Sequence, residues 1–430
     1  MDYLSLIKEQ DAEKTALVTE TCRYTYGQLA RRAQALRNAV GGERACRWIY
    51  ADTIAEQLIQ FLAYAGTNWV PVIAPQTRYG RHDCSPIPPE AACMGVMTSG
   101  SSGRPKLWWR TYDSWASFFP AQNGVFGVDE TMVMLCQGSL AFTGNLNMYL
   151  GVFSAGGTVI GADGFHPKQW LTMIETYRVN ALYMIPAKLF LLMKQMKVSG
   201  CAVNTVKHMK VSGGAVNTVK HIISGSQALG KRQAGQLKQV FPMAEIILYY
   251  GSSELNYITY IRDEDMTDDD TIIGWPFAGV HVAVQEDTQE ITVSTAGHVM
   301  GLSMPYATHD RGYIDDDGKL HYLGRSDDIC RVNGVSISAY KVERALRECI
   351  PDAEGAVVVL RRPHREEFVA YISSSDKWNA DKTGCLNALR RRLLPQEIPN
   401  RFIEIRQLPK TESGKIDKGR LLSMTSSLQV

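Results

Sequence analysis

The nine residues Thr98-Ser99-Gly100-Ser101-Ser102-Gly103-Arg104-Pro105-Lys106 concentrate hydroxyls, two glycines and a lysine behind a short apolar run, Met94 to Met97. Glycines let the backbone turn tightly enough for successive N–H groups to converge on an anion. Serine and threonine hydroxyls add donors, and Lys106 adds a positive charge. Pro105 stiffens the exit. The chemistry such a loop suits is the holding of phosphates, above all those of a nucleotide. Its spacing is not that of a Walker loop, because Lys106 follows Arg-Pro and no Ser or Thr comes after it. The same composition also suits an ordinary Gly/Ser surface turn, and the loop alone does not choose between the two.

Other stretches carry chemistry-bearing side chains at short spacing: Ser224-Gly225-Ser226, Tyr250-Gly251-Ser252-Ser253-Glu254, Thr308-x-Asp310-x-Gly312, Gly324-Arg325-x-Asp327 and Ser413-Gly414-Lys415. Each has a plain alternative. Asp310 reads equally as a turn residue, Glu254 and Arg325 as surface charges, and Lys415 as a solvated lysine in a basic tail.

The elements that must position these groups alternate. Strand-like runs at 46–50, 69–73, 94–97, 131–135, 158–160, 181–185, 221–226 and 245–250 are separated by helical patterns at about 24–40, 53–66, 112–119, 146–153, 170–177 and 186–194. That rhythm predicts an α/β fold with doubly wound, largely parallel sheets. Beyond Gly274 the pattern turns β-rich, with a hairpin turn at Asp315-Asp316-Asp317-Gly318. A polar stretch, Gly324 to Asp328, reads as a linker. A smaller α+β unit follows, with helices at 338–349 and 383–394. The expected division is a large N-terminal domain, 1–326, and a small mobile C-terminal domain, 327–430. Residues 196–208 recur almost unchanged as 209–221, differing only at Cys201 against Gly214. A single extra copy is no solenoid, and it reads as a duplication tolerated in a connection.

Composition narrows the function classes. A formal net charge of +2 over 430 residues lends no electrostatic support to a nucleic-acid or membrane-surface partner. The nine cysteines form neither a CxxC pair nor a Cys/His cluster, so no zinc site or disulfide framework is indicated. The first residues are polar and acidic, unlike a signal peptide, and no apolar run is long enough to span a bilayer. A cytoplasmic setting is the expectation.

In their order and spacing, the separated stretches resemble the adenylate-forming (ANL) superfamily of acyl- and aryl-CoA synthetases, luciferases and peptide-synthetase adenylation domains. The resemblance runs from Tyr24 to Leu422. It implies ATP, Mg²⁺ and CoA, or the phosphopantetheine of a carrier protein, as cofactors and cosubstrates. Thr98, Ser99, Gly100, Ser101, Ser102, Gly103 and Lys106 would hold the β- and γ-phosphates. Ser224, Gly225 and Ser226 would lie along the adenosine. Tyr250 would stack on adenine, with Gly251 and Ser252 in the same turn, Ser253 would touch the α-phosphate, and Glu254 would hold Mg²⁺. A flat aromatic, a hydroxyl and a hard carboxylate suit those partners. Asp310 would accept hydrogen bonds from the ribose, with Arg325 beside it. Asp327 falls at the family's hinge, Lys415 matches the lysine that stabilises the forming acyl phosphate, and Gly334 would border the pantetheine arm.

The implied reaction is formation of acyl-AMP followed by transfer to a thiol, with no covalent enzyme nucleophile and the cysteines as bystanders. Peptide-synthetase domains carry an Asp in the stretch equivalent to 139–146. Here it is Ser-Leu-Ala-Phe-Thr-Gly-Asn-Leu, which would leave an amino acid's ammonium unpaired, at a cost. An apolar or aryl carboxylic acid is therefore the expected substrate. The alternatives are a stand-alone ligase that loads an acyl carrier protein, and a non-catalytic nucleotide-binding homologue, which would have no need of both Lys106 and Lys415.

Overall fold

The computed structural model describes residues 2–74, 86–98, 106–199, 216–332, 335–350, 353–362, 365–411 and 416–427. The expectations placed on Ser99, Gly100, Ser101, Ser102, Gly103, Gly334 and Lys415 lie outside the described residues, as does the middle of the tandem copy. The chain parts into two compact units, residues 1–281 with 294–304, and residues 282–293 with 305–430.

Strands of the first unit, in chain order, are β1 (Thr15–Val18), β2 (Arg23–Thr25), β3 (Ala45–Ile49), β4 (Trp69–Ile73), β5 (Met94–Thr98), β6 (Lys106–Arg110) and β7 (Val133–Gln137). They continue as β8 (Thr158–Ala162), β9 (Ala181–Tyr183), β10 (His221–Gly225), β11 (Glu245–Ser252), β12 (Asn256–Arg262) and β13 (Ile272–Pro276). One sheet runs β13-β12-β11-β10-β9-β7-β8-β1-β2. From β11 through to β1 every pairing is parallel. Parallel neighbours need crossovers, and helices Thr143–Ser154, Pro167–Thr176, Pro186–Ser199 and Lys231–Val240 lie between successive strands here. Leu135, Ile160, Trp170, Leu182, Leu189 and Ile222 are buried together where helices meet sheet. The second sheet, β3-β4-β5-β6, is parallel except for its last pair, β5 with β6.

Local signals account for several element ends. Thr25 and Gln28 form a reciprocal capping box at the start of helix Tyr26–Arg37. The helix expected at 112–119 is instead two pieces, Asp113–Ala116 and Phe119–Phe126. Pro120 sits in the first turn of the second piece, where its missing N–H is harmless but where it cannot continue a helix. Helix Lys231–Val240, which is mostly polar, buries only Ala234, Leu237 and Val240, too thin a stripe to stand out in the sequence.

The second unit contains most of β14 (Val280–Val284) and β15 (Glu290–Thr295), then β16 (Tyr306–Ile314), β17 (Leu320–Arg325), β18 (Ile329–Val332) and β19 (Val335–Ser338). It ends in a three-stranded sheet of β20 (Gly355–Arg362), β21 (Arg365–Ser373) and β22 (Arg401–Ile405). Helices Ala339–Cys349 and Lys382–Arg390 contribute to the core around Leu346, Phe368, Trp378 and Leu389. The stretch expected to be a linker is ordered otherwise. Gly324 and Arg325 end β17, and Ser326–Asp328 form a single 3-10 turn. Arg325 is opposed to Asp310 across the hairpin, which explains how such polar residues join a strand.

Candidate functional site

In the first unit the parallel strands share a direction, so β7, β9, β10 and β11 all end on one edge of the sheet. Ligands of open α/β sheets bind at that carboxyl edge. Ser224 to Ser226 close β10 there, and Tyr250 to Glu254 close β11.

Register explains the second of these turns. Ser252 pairs with Asn256, so Ser253-Glu254-Leu255 is a three-residue hairpin tip between β11 and β12. Asn256 has φ of 70°, a left-handed conformation that Asn tolerates. A bulge falls between Tyr250 and Gly251. A Cβ on Gly251 would lie 2.4 Å from the Asn256 carbonyl oxygen, so only glycine fits. Glu254 is half-buried at the tip, and its carbonyl accepts the Val299 N–H at 2.8 Å.

At β10, Ser224 is buried and its hydroxyl donates to the Met184 carbonyl at 2.8 Å. Of this turn, Ser226 is exposed, at φ of 65°. A Cβ on Gly225 would lie 2.5 Å from the Tyr249 ring. The glycine thus makes room for Tyr249, whose hydroxyl is 2.6 Å from that of Tyr183. These two rings are stacked in parallel planes, with centroids 6.0 Å apart.

The two described ends of the glycine-rich stretch lie on antiparallel strands, with Thr98 at the end of β5 opposed to Lys106 at the start of β6. Lys106 is exposed. Thr98 is buried, and its hydroxyl has no hydrogen-bond partner among the described residues.

Sequence reasoning passed over Arg110, the last residue of β6. It is fully buried. Its guanidinium donates to the Ser253 carbonyl at 2.6 Å, the Gly297 carbonyl at 2.9 Å and the Ser114 hydroxyl at 3.3 Å, and lies over the Trp115 ring at 5.2 Å. Burial pushes it down to about 10, opposed by the charges of Tyr3, Glu254 and Cys93, so it remains a cation at neutral pH. Beside it, Met300 donates its N–H to the Trp109 carbonyl at 2.8 Å. The strand leaving the glycine-rich loop is therefore tied both to the Ser253–Glu254 tip and to the segment that supports it. The one available signal was a charge at the end of the run Leu107-Trp108-Trp109.

For Mg²⁺ the donor set is informative. Among the described residues no three His, Cys, Asp or Glu side chains gather as a protein cage. Mg²⁺ is commonly held by one or two carboxylates, with phosphate oxygens and waters completing the octahedron, and a single carboxylate at the Glu254 hairpin tip fits that mode.

In the second unit, Asp310 is buried and pairs with Arg325, Nε to Oδ1 at 3.2 Å. Although burial works against its charge, Arg325 is raised above its usual value, chiefly by Asp310. Arg361 donates to the Asp327 carbonyl at 2.6 Å. Lys418 joins Asp328 at 2.7 Å and Glu343 at 3.1 Å, anchoring the helix that begins three residues after Lys415. Among the described residues, Cys22, Cys46, Cys93, Cys136, Cys330, Cys349 and Cys385 form no disulfide, all but Cys22 are buried, and burial raises the Cys136 thiol to about 12. Among the described residues no helix is long and apolar enough to cross a membrane.

Residues 65–300 match the AMP-binding enzyme family. YhfT, an uncharacterized acyl–CoA ligase of Bacillus subtilis strain 168, is 27% identical over 355 residues, covering 78% of this chain and 69% of the relative. ATP-bound MatB from Rhodopseudomonas palustris has the same fold, with a TM-score of 0.82 at 18% identity over 100% of both chains. So does o-succinylbenzoate coenzyme A synthetase from Bacillus subtilis in complex with ATP and magnesium ion, at 0.77 and 16%, over 98% of this chain and 99% of that one. Since the family match spans more than half of the sequence and takes in the glycine-rich stretch together with the β10 and β11 turns, the chain belongs to the AMP-binding enzymes of the adenylate-forming superfamily.

Proposed function

We propose that the chain is an AMP-forming acid–thiol ligase. A substrate carboxylate oxygen attacks the α-phosphorus of ATP, the bond to the β-phosphate oxygen breaks, and pyrophosphate leaves. The thiol of CoA then attacks the acyl carbon of acyl-AMP, loses its proton, and releases AMP. The observation that carries this reading is the Arg110 tie, which joins β6, the strand that follows the glycine-rich stretch, to the Ser253–Glu254 tip.

In this reading the first half-reaction depends on positioning and charge neutralisation. Thr98 to Lys106 hold the departing phosphates, and the buried Thr98 hydroxyl has no hydrogen-bond partner among the described residues. Ser253 meets the α-phosphate and Tyr250 the adenine, while Ser224 to Ser226 follow the adenosine with their backbone. Glu254 holds Mg²⁺, which offsets phosphate charge when bound. Asp310, held by Arg325, takes the ribose hydroxyls. Lys415 serves adenylation and Gly334 serves thiol transfer, with residues 327–430 acting as a lid domain that pivots at Asp327 against 1–326. An apolar or aryl body for the acid is supported by Phe142, Tyr183 and Tyr249, which flank Gly144 and Gly225 at the carboxyl edge. A cytoplasmic setting goes with a reaction that draws on ATP and CoA.

The test is ATP–pyrophosphate exchange with a panel of carboxylic acids, followed by addition of CoA or of a holo carrier protein. Acid-dependent exchange and an acyl-CoA product are expected. ATP binding without exchange for any acid would make the protein a nucleotide binder. Product only on the carrier would replace CoA as the acceptor.

A further inference from the structure

Near the carboxyl edge of the large sheet lies a cation that the proposed reaction does not use. Lys188 is the third residue of helix Pro186–Ser199, directly after β9, and is the one charge in the run Ile185 to Met193. It is mostly buried. Its ammonium reaches the Gln137 carbonyl at the end of β7 at 3.5 Å, a long contact for a group with three donors. Gly138, at φ of 110°, sits beside this ammonium: a Cβ there would lie 3.6 Å from Lys188 Nζ and 3.3 Å from Asn145 Nδ2. Asn145 already donates to the carbonyls of Gln137, Gly138 and Ser139, so those carbonyls are shared. Gln137 is itself buried, and its side-chain oxygen has no hydrogen-bond partner among the described residues. Burial lowers the Lys188 pKa, opposed by the nearby Cys136.

This cluster is joined to the nucleotide turn. The Ala187 N–H donates to the Gln227 side chain at 3.2 Å, one residue beyond Ser226. In the sheet, β9 stands two strands from β11, and both strands end on the carboxyl edge. Tyr183 and Tyr249 occupy the ground between.

Resting on the ligase reading above, we infer that Lys188 is a specificity determinant that pairs with a second carboxylate at the far end of the acid, so that the substrate is a dicarboxylate with an apolar or aryl middle. The absence of an acidic residue from 139–146 leaves nothing in that stretch to repel the second anion.

The experiment measures pyrophosphate exchange of the full chain with suberate against octanoate, and with terephthalate against benzoate. For the wild type, kcat/KM is expected to favour the diacid of each pair by roughly 30-fold, the worth of one charge-assisted hydrogen bond. Lys188→Met should collapse that ratio to about one, mainly through KM of the diacid. Lys188→Arg should retain most of the preference, and Lys188→Glu should shift it toward 8-aminooctanoate. A wild type that favours the monoacids overturns the inference without any variant, and so does a Lys188→Met ratio equal to the wild type's. Exchange with no acid at all overturns the ligase reading and this inference together, whereas exchange confined to monoacids overturns Lys188 alone.

Discussion

Replacing Arg110 with methionine would leave a side chain of similar length with no donors. The Ser253 and Gly297 carbonyls, which now accept at 2.6 and 2.9 Å, would lose a buried, charged donor. Each such bond contributes about 1.5–3 kcal/mol, and each orphaned carbonyl costs on a similar scale. Against that stands the relief of no longer burying a guanidinium, which can offset much of the loss when a buried ion is replaced by an apolar group of similar volume. Here the polar partners remain behind, so a net destabilisation of about 4 kcal/mol is expected. For a unit of this size that lowers Tm by roughly 8 °C in a calorimetric scan. Arg110→Lys, keeping the charge but reaching fewer acceptors, should fall between. Pyrophosphate exchange measured below the transition should drop in the same order, because the Ser253–Glu254 tip would be freed from β6. A methionine variant melting within about 2 °C of the wild type, with unchanged exchange, would show that strand register alone positions the tip.

Three further outcomes are expected. Lys415→Ala should slow acyl-AMP formation by about 100-fold or more while leaving transfer from pre-made acyl-AMP to the thiol near normal; equal damage to both steps would refute a lysine that serves only adenylation. Asp163 is exposed as a residue, but burial around its carboxylate, which accepts the Ile54 N–H at 2.9 Å, pushes it up to about 6 despite that bond, with Glu20 adding repulsion. Because its folded value exceeds 3.8, the folded state binds the proton more tightly, so this group adds stability as pH falls through 6. Asp163→Asn, which can still accept from Ile54, should therefore raise Tm at pH 7 and lose that advantage near pH 4; an advantage that does not change with pH would refute the assignment. Deleting 209–221 should leave exchange within about 3-fold, because the remaining copy still supplies both the end of helix Pro186–Ser199 and the entry into β10; a folded but inactive deletion would give the second copy a role.

How much could be read without coordinates followed from the range of the interactions involved. Most of the alternation of strands and helices from β3 to β11 was legible because apolar periodicity is local, and so was the end of β11 at the Tyr250–Glu254 turn, whereas β6 and helix Lys231–Val240 were not read and the Thr-x-Asp-x-Gly stretch lies inside β16. Glycine's freedom and the chemistry of hydroxyls and carboxylates act within a few residues. The two-piece helix at 113–126 and the strand ending in Arg325 were misjudged because one hinged on Pro120 starting a helix and the other on a cross-strand partner, Asp310. Arg110 and Lys188 carried only a faint mark, a charge in an apolar run. Their meaning depends on acceptors far away in sequence: Ser253 and Gly297 for Arg110, and Gln137 for Lys188. A buried charge is tolerable only where distant backbone supplies its partners, and the parallel sheet that brings those partners to one edge exists only after the crossovers have closed.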